Sequence, residues 1–331
     1  MRKFPLNRRA VIAAAAGAAM AATLGAGVAQ ADPVLDDVHF LIPGGAGGGW
    51  DGTARGTGEA LTKAGLVGTA SFENMSGGGG GKAIAHLIET ADKADGTLMV
   101  NSTPIVIRSL QKVFPQSFRD LTPIASTIGD YAAIVVNNDS AIQDFQGLVA
   151  AYKADPKNVA IGGGSVAGGM DHVVAALVMK GAGAKATAVK YIPYDAGGKA
   201  MAGLLSGEIK ALSTGFGEAV DLAKQGEVRI LCVTSTQRVD AAPDVPTCDE
   251  AGSKGTEFVN WRGFFGAPGL SKEKQVAYQE ALKKMYETPE WEAVRARNGW
   301  VNIYHPGDEF TAFLEAQEKQ IGDLMKELGF L

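Results

Sequence analysis

The chain is poor in the residues that carry most protein chemistry. Its 331 positions hold 2 cysteines, 4 histidines and 7% aromatic residues. Two cysteines exclude a small scaffold held together by disulfides. His39, His86, His172 and His305 are scattered and make no metal-ligand spacing. Neither Cys232 nor Cys248 has a histidine beside it in sequence, so no thiol nucleophile is indicated. Basic charge is also short, with 31 Lys and Arg against 36 Asp and Glu. That balance argues against nucleic acid or an anionic membrane surface as the main partner. Beyond the N-terminus no apolar run is long enough to span a bilayer.

Glycine, by contrast, is in excess. There are 44 in 331 residues, nearly twice the usual share of about 7%. With 46% apolar and 20% charged residues the composition is that of a globular protein. The length exceeds one domain of roughly 100–200 residues, so two lobes are expected.

Residues 1–31 read as an export signal. Arg2, Lys3, Arg8 and Arg9 precede an Ala/Gly-rich apolar stretch, and Ala29-Gln30-Ala31 is an A-x-A cleavage site. The Arg8-Arg9 pair suits the twin-arginine route, and an ordinary Sec signal stays open. Cleavage after Ala31 leaves a periplasmic chain with 27 basic and 36 acidic residues, a net charge of −9. In that oxidising compartment Cys232 and Cys248 either pair or remain two separate buried thiols.

The remaining sequence alternates strand-like and helix-like segments. It predicts an α/β fold of two lobes, each a mostly parallel sheet flanked by helices. Strands are expected at Val38–Ile42, Thr69–Glu73, Thr97–Asn101, Ala132–Val136, Val159–Ile161, Val189–Ile192, Ile209–Ser213 and Val228–Thr234. The chain is expected to cross between lobes near Val135–Asn138 and Val233–Thr236. This divides it into lobe 1, residues 32–136 plus 236–331, and an inserted lobe 2, residues 137–235.

The glycines cluster where strands give way to helices, at Gly44–Gly52, Gly77–Gly81, Gly162–Gly169 and Gly197–Gly198. Such junctions line the ligand crevice of open α/β sheets. There, glycine lets backbone N–H groups approach a ligand, and helix N-termini add positive potential. The clusters therefore predict an anion site made from backbone. A rival reading is a dinucleotide fold, because Gly47-Gly-Gly-Trp-Asp-Gly52 fits G-x-G-x-x-G with Glu73 downstream. It would make the chain an exported NAD(P)-dependent oxidoreductase. Trp50 in a variable slot and the repeated clusters weigh against it. Ser165 in Gly163-Gly-Ser-Val-Ala167 misses the G-x-S-x-G elbow.

Pro43-Gly-Gly-Ala-Gly-Gly-Gly-Trp-Asp51, Ala54-Arg55 and Glu73-Asn74 resemble the substrate-binding proteins of tripartite tricarboxylate transporters, the Bug-type periplasmic receptors. The likeness continues through Gly96-Thr-Leu-Met99, Tyr191-Ile-Pro-Tyr-Asp-Ala-Gly-Gly198, Leu205-Ser-Gly207, Pro243-Asp-Val-Pro-Thr247 and Glu250-Ala-Gly252. Tyr194-Asp-Ala-Gly197 stands where family members often carry Tyr-Lys-Gly.

The resemblance implies a type II-like binding protein, a monomer and not an enzyme, without cofactor or metal. It would close over a small carboxylate, a di- or tricarboxylate first. It would deliver that ligand to one large and one small integral membrane subunit. A sensory receptor is a further alternative. The implied contacts are Gly45, Ala46, Gly47, Gly48, Gly49, Trp50 and Asp51, with Gly78, Gly79, Ser102 and Thr103. From the inserted lobe come Gly164, Ser165, Gly168, Gly169, Tyr194, Asp195, Ala196 and Gly197. Lys82, Arg108 and Lys199 are candidates for a distal carboxylate. Asp51 and Asp171 would repel an anion and are read as braces of their loops.

Overall fold

The computed structural model describes residues 34–331, so the expected export signal lies outside the described residues. Ten strands form one curled sheet in the order β2-β1-β3-β9-β4-β7-β5-β6, with β8 and β10 also pairing β4. The strands are β1 Leu35–Ile42, β2 Val67–Asn74, β3 Thr97–Ser102, β4 Thr122–Asn137, β5 Ile161–Gly163, β6 Tyr191–Pro193, β7 Ala211–Gly215, β8 Val228–Val233, β9 Val259–Gly266 and β10 Val301–Pro306. The main helices are α1 Gly49–Lys63, α2 Gly81–Glu89, α3 Thr103–Leu110, α4 Phe145–Ala154, α5 Met170–Gly181, α6 Gly197–Leu205, α7 Phe216–Lys224, α8 Lys272–Met285, α9 Pro289–Asn298 and α10 Asp308–Leu328.

The α/β expectation holds, but the sheet is mixed rather than mostly parallel. Parallel pairing is confined to β1–β2, β1–β3, β5–β6 and β5–β7. The centre is antiparallel, because β4 runs against β7, β8, β9 and β10. The physical reason is β4 itself, which spans 16 residues where a five-residue strand was expected. Its first part pairs β9 as far as Tyr131, and its last part pairs β7 from Ala132. The strand is buried along almost its whole length because helices cover both faces.

Apolar packing follows this sheet. On one side Phe40, Phe264, Tyr278, Trp291 and Trp300 form a core with α1, α8 and α9. On the other, Val173, Val174 and Val178 of α5 pack with Ile134, Ile161 and Phe145. Several helix starts are capped as their sequences suggest, by Asp144 for α4, Ser271 for α8 and Thr288 for α9. The helices α9 and α10 stop at left-handed Gly299 and Gly329.

Cys232 and Cys248 form a disulfide, resolving the choice left open above. Val233 bridges Thr247 in parallel, which brings the two cysteine Cα atoms to 4.9 Å. Among the described residues no helix is long and apolar enough to cross a membrane.

Candidate functional site

The glycine-rich junctions meet around one cavity of about 150 Å³. The β1–α1 turn supplies Gly45, Gly48, Gly49 and Trp50 to its lining. The turn before α2 adds Ser76 and Gly77–Gly80. Facing them are Gly164, Ser165 and Gly169 from the β5–α5 turn and Tyr194–Gly197 from the β6–α6 turn. Ser102 and Arg108, at the β3–α3 junction and on α3, complete the expected set.

Seven expected residues do not line the cavity. Ala46 and Gly47 are exposed beside it, while Thr103 is fully buried. Gly168 and Asp51 stand behind their loops as braces. Lys82 is exposed. Lys199 turns back one helical turn to Asp195 at 3.1 Å, with both side chains exposed. Neither lysine is among the lining residues, though Lys82 packs on Gly77 and Lys199 on Asp195, which are.

The first turn is tightly fixed. Asp51 accepts from Gly47 N–H at 3.1 Å, Arg55 Nε at 2.9 Å and Asn74 Nδ2 at 3.0 Å. Trp50 Nε1 donates to Ser102 Oγ at 2.9 Å, so the indole forms a fixed wall. Across the cavity the Ser76 hydroxyl donates to Asp195, and this bond, ahead of Lys199, lowers the Asp195 pKa.

The second turn is built alike and charged differently. The Asp171 carboxyl accepts from Ser165 and from the Gly164 N–H, and it lines the cavity. Burial, reinforced by the charge of Glu218, pushes its pKa up to about 7. Gly168 N–H donates to His172 Nδ1 at 3.0 Å. The His172 ring stacks on Tyr191 at 4.5 Å, and burial pulls its pKa down to about 4. His172 is therefore a neutral packing residue.

Three polar cavity residues near the centre of the sheet were missed by sequence reasoning, as were Ser76, Pro104, Val166 and Met170. Arg262 and Asn260 come from β9, and Glu218 comes from the first turn of α7. Arg262 bonds buried Asp130 at 2.8 Å and Thr53 at 3.1 Å, and stands 3.9 Å from Glu218. The Glu218 carboxylate lies between Gly49 and Gly197, the first residues of α1 and α6, and Thr214 donates to it. Gly49 N–H also donates to it, and burial raises its pKa. A Cβ on Gly49 would collide with the Arg262 guanidinium and fall 2.6 Å from the Glu218 carboxylate. Glycine is required there by close approach. One signal was present: Ser213-Thr-Gly-Phe-Gly-Glu218 is another strand-to-helix junction with glycines.

A family model described as the tripartite tricarboxylate transporter family receptor matches residues 54–330. The chain belongs to this receptor family. A UPF0065 protein of Bordetella bronchiseptica is 31% identical over 65% of the receptor chain, and that match spans 62% of the relative's own length. Among solved structures, the periplasmic binding protein BugD superposes with a TM-score of 0.80 at 21% identity, covering 89% of the receptor and 98% of BugD. MatC of Rhodopseudomonas palustris, solved with bound malate, superposes at 0.76 and 19% identity, covering 88% and 99%. These likenesses show the two-lobed fold of periplasmic solute-binding receptors. Family membership sides with the receptor expectation over the dinucleotide one.

Proposed function

We propose that this protein is a periplasmic receptor that closes over a small carboxylate and hands it to a membrane transporter. The observation that carries the reading is the single cavity shared by four glycine-rich turns from opposite halves of the sheet. A ligand touching both halves stabilises the closed arrangement by its differential contacts. The lobes follow from β4. We assign residues 32–131 and 259–331 to one lobe and 132–233 to the other, with the partner change at Tyr131 and Ala132 as a hinge. The connecting segment between β8 and β9 carries the second crossing. Malate in the MatC site supports a carboxylate ligand here. Export with cleavage after Ala31, and delivery to one large and one small integral subunit, complete the proposal.

Thermal melting against malate, succinate, citrate, adipate and benzoate tests it. At about a hundredfold excess over Kd a true ligand adds about 2.7 kcal/mol and raises Tm by several degrees. No shift with any acid in that panel, and none with amino acids or monoamides, defeats the receptor reading.

A further inference from the structure

The cavity lining is electrically unequal. Around Glu218, Asp171 and Asn260 it presents acceptors. Asn260 is 4% exposed, and its Oδ1 has no hydrogen-bond partner. One cation, Arg262, serves this region, and it is committed to Asp130 through Nη2 and to Thr53 through Nη1. Its buried Nε alone is unpartnered. The Glu218 carboxylate already crowds the start of α1, where a Cβ on Gly49 would fall 2.6 Å from it. A ligand carboxylate entering this region meets like charge and few open donors.

Arg108 is the opposite case. It is 8% exposed and lines the cavity. Its Nη1 donates to Gln111 Oε1 at 2.8 Å, and its buried Nε has no partner. Gln111 is itself held by Gly168 O at 3.0 Å, which fixes the pair in place. Among the described residues no carboxylate lies within salt-bridge distance of Arg108. A buried cation without a counter-charge is costly, and a bound anion relieves that cost. Gly79 lies over its Nε, with a φ of 66° that favours glycine. Arg108 is approached by Gly79 and Gln111, whereas Glu218 is approached by Gly49, Gly197 and Thr214. The two charges therefore occupy separate parts of the lining.

We propose that the receptor selects an unsymmetrical ligand with a single anionic group, a monoanion in that sense even where an ammonium makes it a zwitterion. Its carboxylate pairs with Arg108 beneath the Gly77–Gly80 turn, and its other end presents a hydrogen-bond donor, ammonium or amide, to Glu218, Asp171 and Asn260. The ligand class is small amino acids, ω-amino acids and monoamides of dicarboxylic acids rather than symmetrical dianions. This rests on the receptor reading above and narrows it.

Calorimetric titration of the purified protein with succinate, succinamate and 4-aminobutanoate tests the proposal, since the three share a four-carbon frame. At least one monoanion is expected to bind wild type at least tenfold more tightly than succinate. Arg108→Gln is expected to weaken that monoanion at least tenfold. Glu218→Gln is expected to bring succinate towards parity with it. Succinate binding as well as both monoanions, or any dianion of the wider panel binding where neither monoanion does, overturns the proposal and leaves the receptor reading standing. Unchanged monoanion affinity in Arg108→Gln overturns it as well. No binding by these three or by the panel overturns both. The wild-type comparison decides the matter even if Glu218→Gln fails to fold.

Discussion

Two turns of this receptor share one pattern and differ in charge. Gly48-Gly-Trp-Asp51 opens α1, and Gly168-Gly-Met-Asp171 opens α5. Each follows a strand, begins a helix with glycine before it and places a buried aspartate in the first turn. Asp51 meets Arg55, Asn74 and the Gly47 N–H, so its charge is matched. Asp171 meets a hydroxyl, one N–H and the like charge of Glu218. Identical backbone grammar therefore yields a rigid, neutralised wall on one side and a titratable wall on the other. The surroundings of the turn, more than the turn itself, decide what it can hold.

The largest expected effect comes from spacing. A Cβ on Gly164 would fall 2.5 Å from the Ala196 carbonyl carbon and 2.7 Å from the Gly197 Cα, both rigid backbone. Gly164→Ala should force the β5–α5 and β6–α6 turns apart and cost about 3 kcal/mol, with ligand binding lost in parallel. A Cβ on Gly48 would rest 3.4 Å from the Ala196 Cβ, which is ordinary contact. Gly48→Ala should change stability by less than about 0.5 kcal/mol. Urea denaturation of both variants checks this, and equal costs would remove the distinction between the turns.

Next in size is the brace. Asp51→Ala leaves the Gly47 N–H without its acceptor, removes one of two acceptors from the Asn74 amide and leaves Arg55 held by Asn74 Oδ1 alone. Because Arg55 is half exposed, the hydrogen bonds dominate, and a loss of about 2 kcal/mol is expected. A midpoint unchanged in urea would show that Asp51 does not fix the first turn.

Much of this site was legible because its logic is local. Strand-to-helix order follows from periodicity, and glycine at a junction is read directly from adjacent residues. Thus the clusters at Gly44–Gly52, Gly162–Gly169 and Gly197–Gly198 stand out in the sequence, and each contributes to the lining of one cavity. What was missed depends on partners far away in sequence. Arg262 reaches the cavity only because Ile128 and Asp130 of β4 set the register of β9. In the sequence it is one cation in an unassigned apolar segment. The β9 and β10 strands themselves were not among the expected strands. The Cys232–Cys248 bond similarly needs the Val233–Thr247 pairing, which no local signal near Cys232 announces. Lys82 and Lys199 were suggested by position alone: a cation near a helix start looks suited to an anion, yet neither lines the cavity.

The smallest effect tests the charge difference between the turns. In the unfolded chain Asp171 is an ordinary aspartate with a pKa of about 3.9. In the fold, burial first and Glu218 second raise it to about 7. A carboxyl raised on folding stabilises the native state in its protonated form. That contribution is complete below the unfolded pKa and is lost as pH rises through the folded one. Between about pH 6 and about pH 8 the Asp171 share should fall by about 1 kcal/mol. Glu218, also raised by burial, acts with the same sign. Asp171→Asn keeps an acceptor for the Gly164 N–H and removes the proton, so its Tm should decline less steeply across this window than that of wild type. If Asp171→Asn and wild type decline in parallel, Asp171 is already ionised at about pH 6, and the two turns are electrically alike.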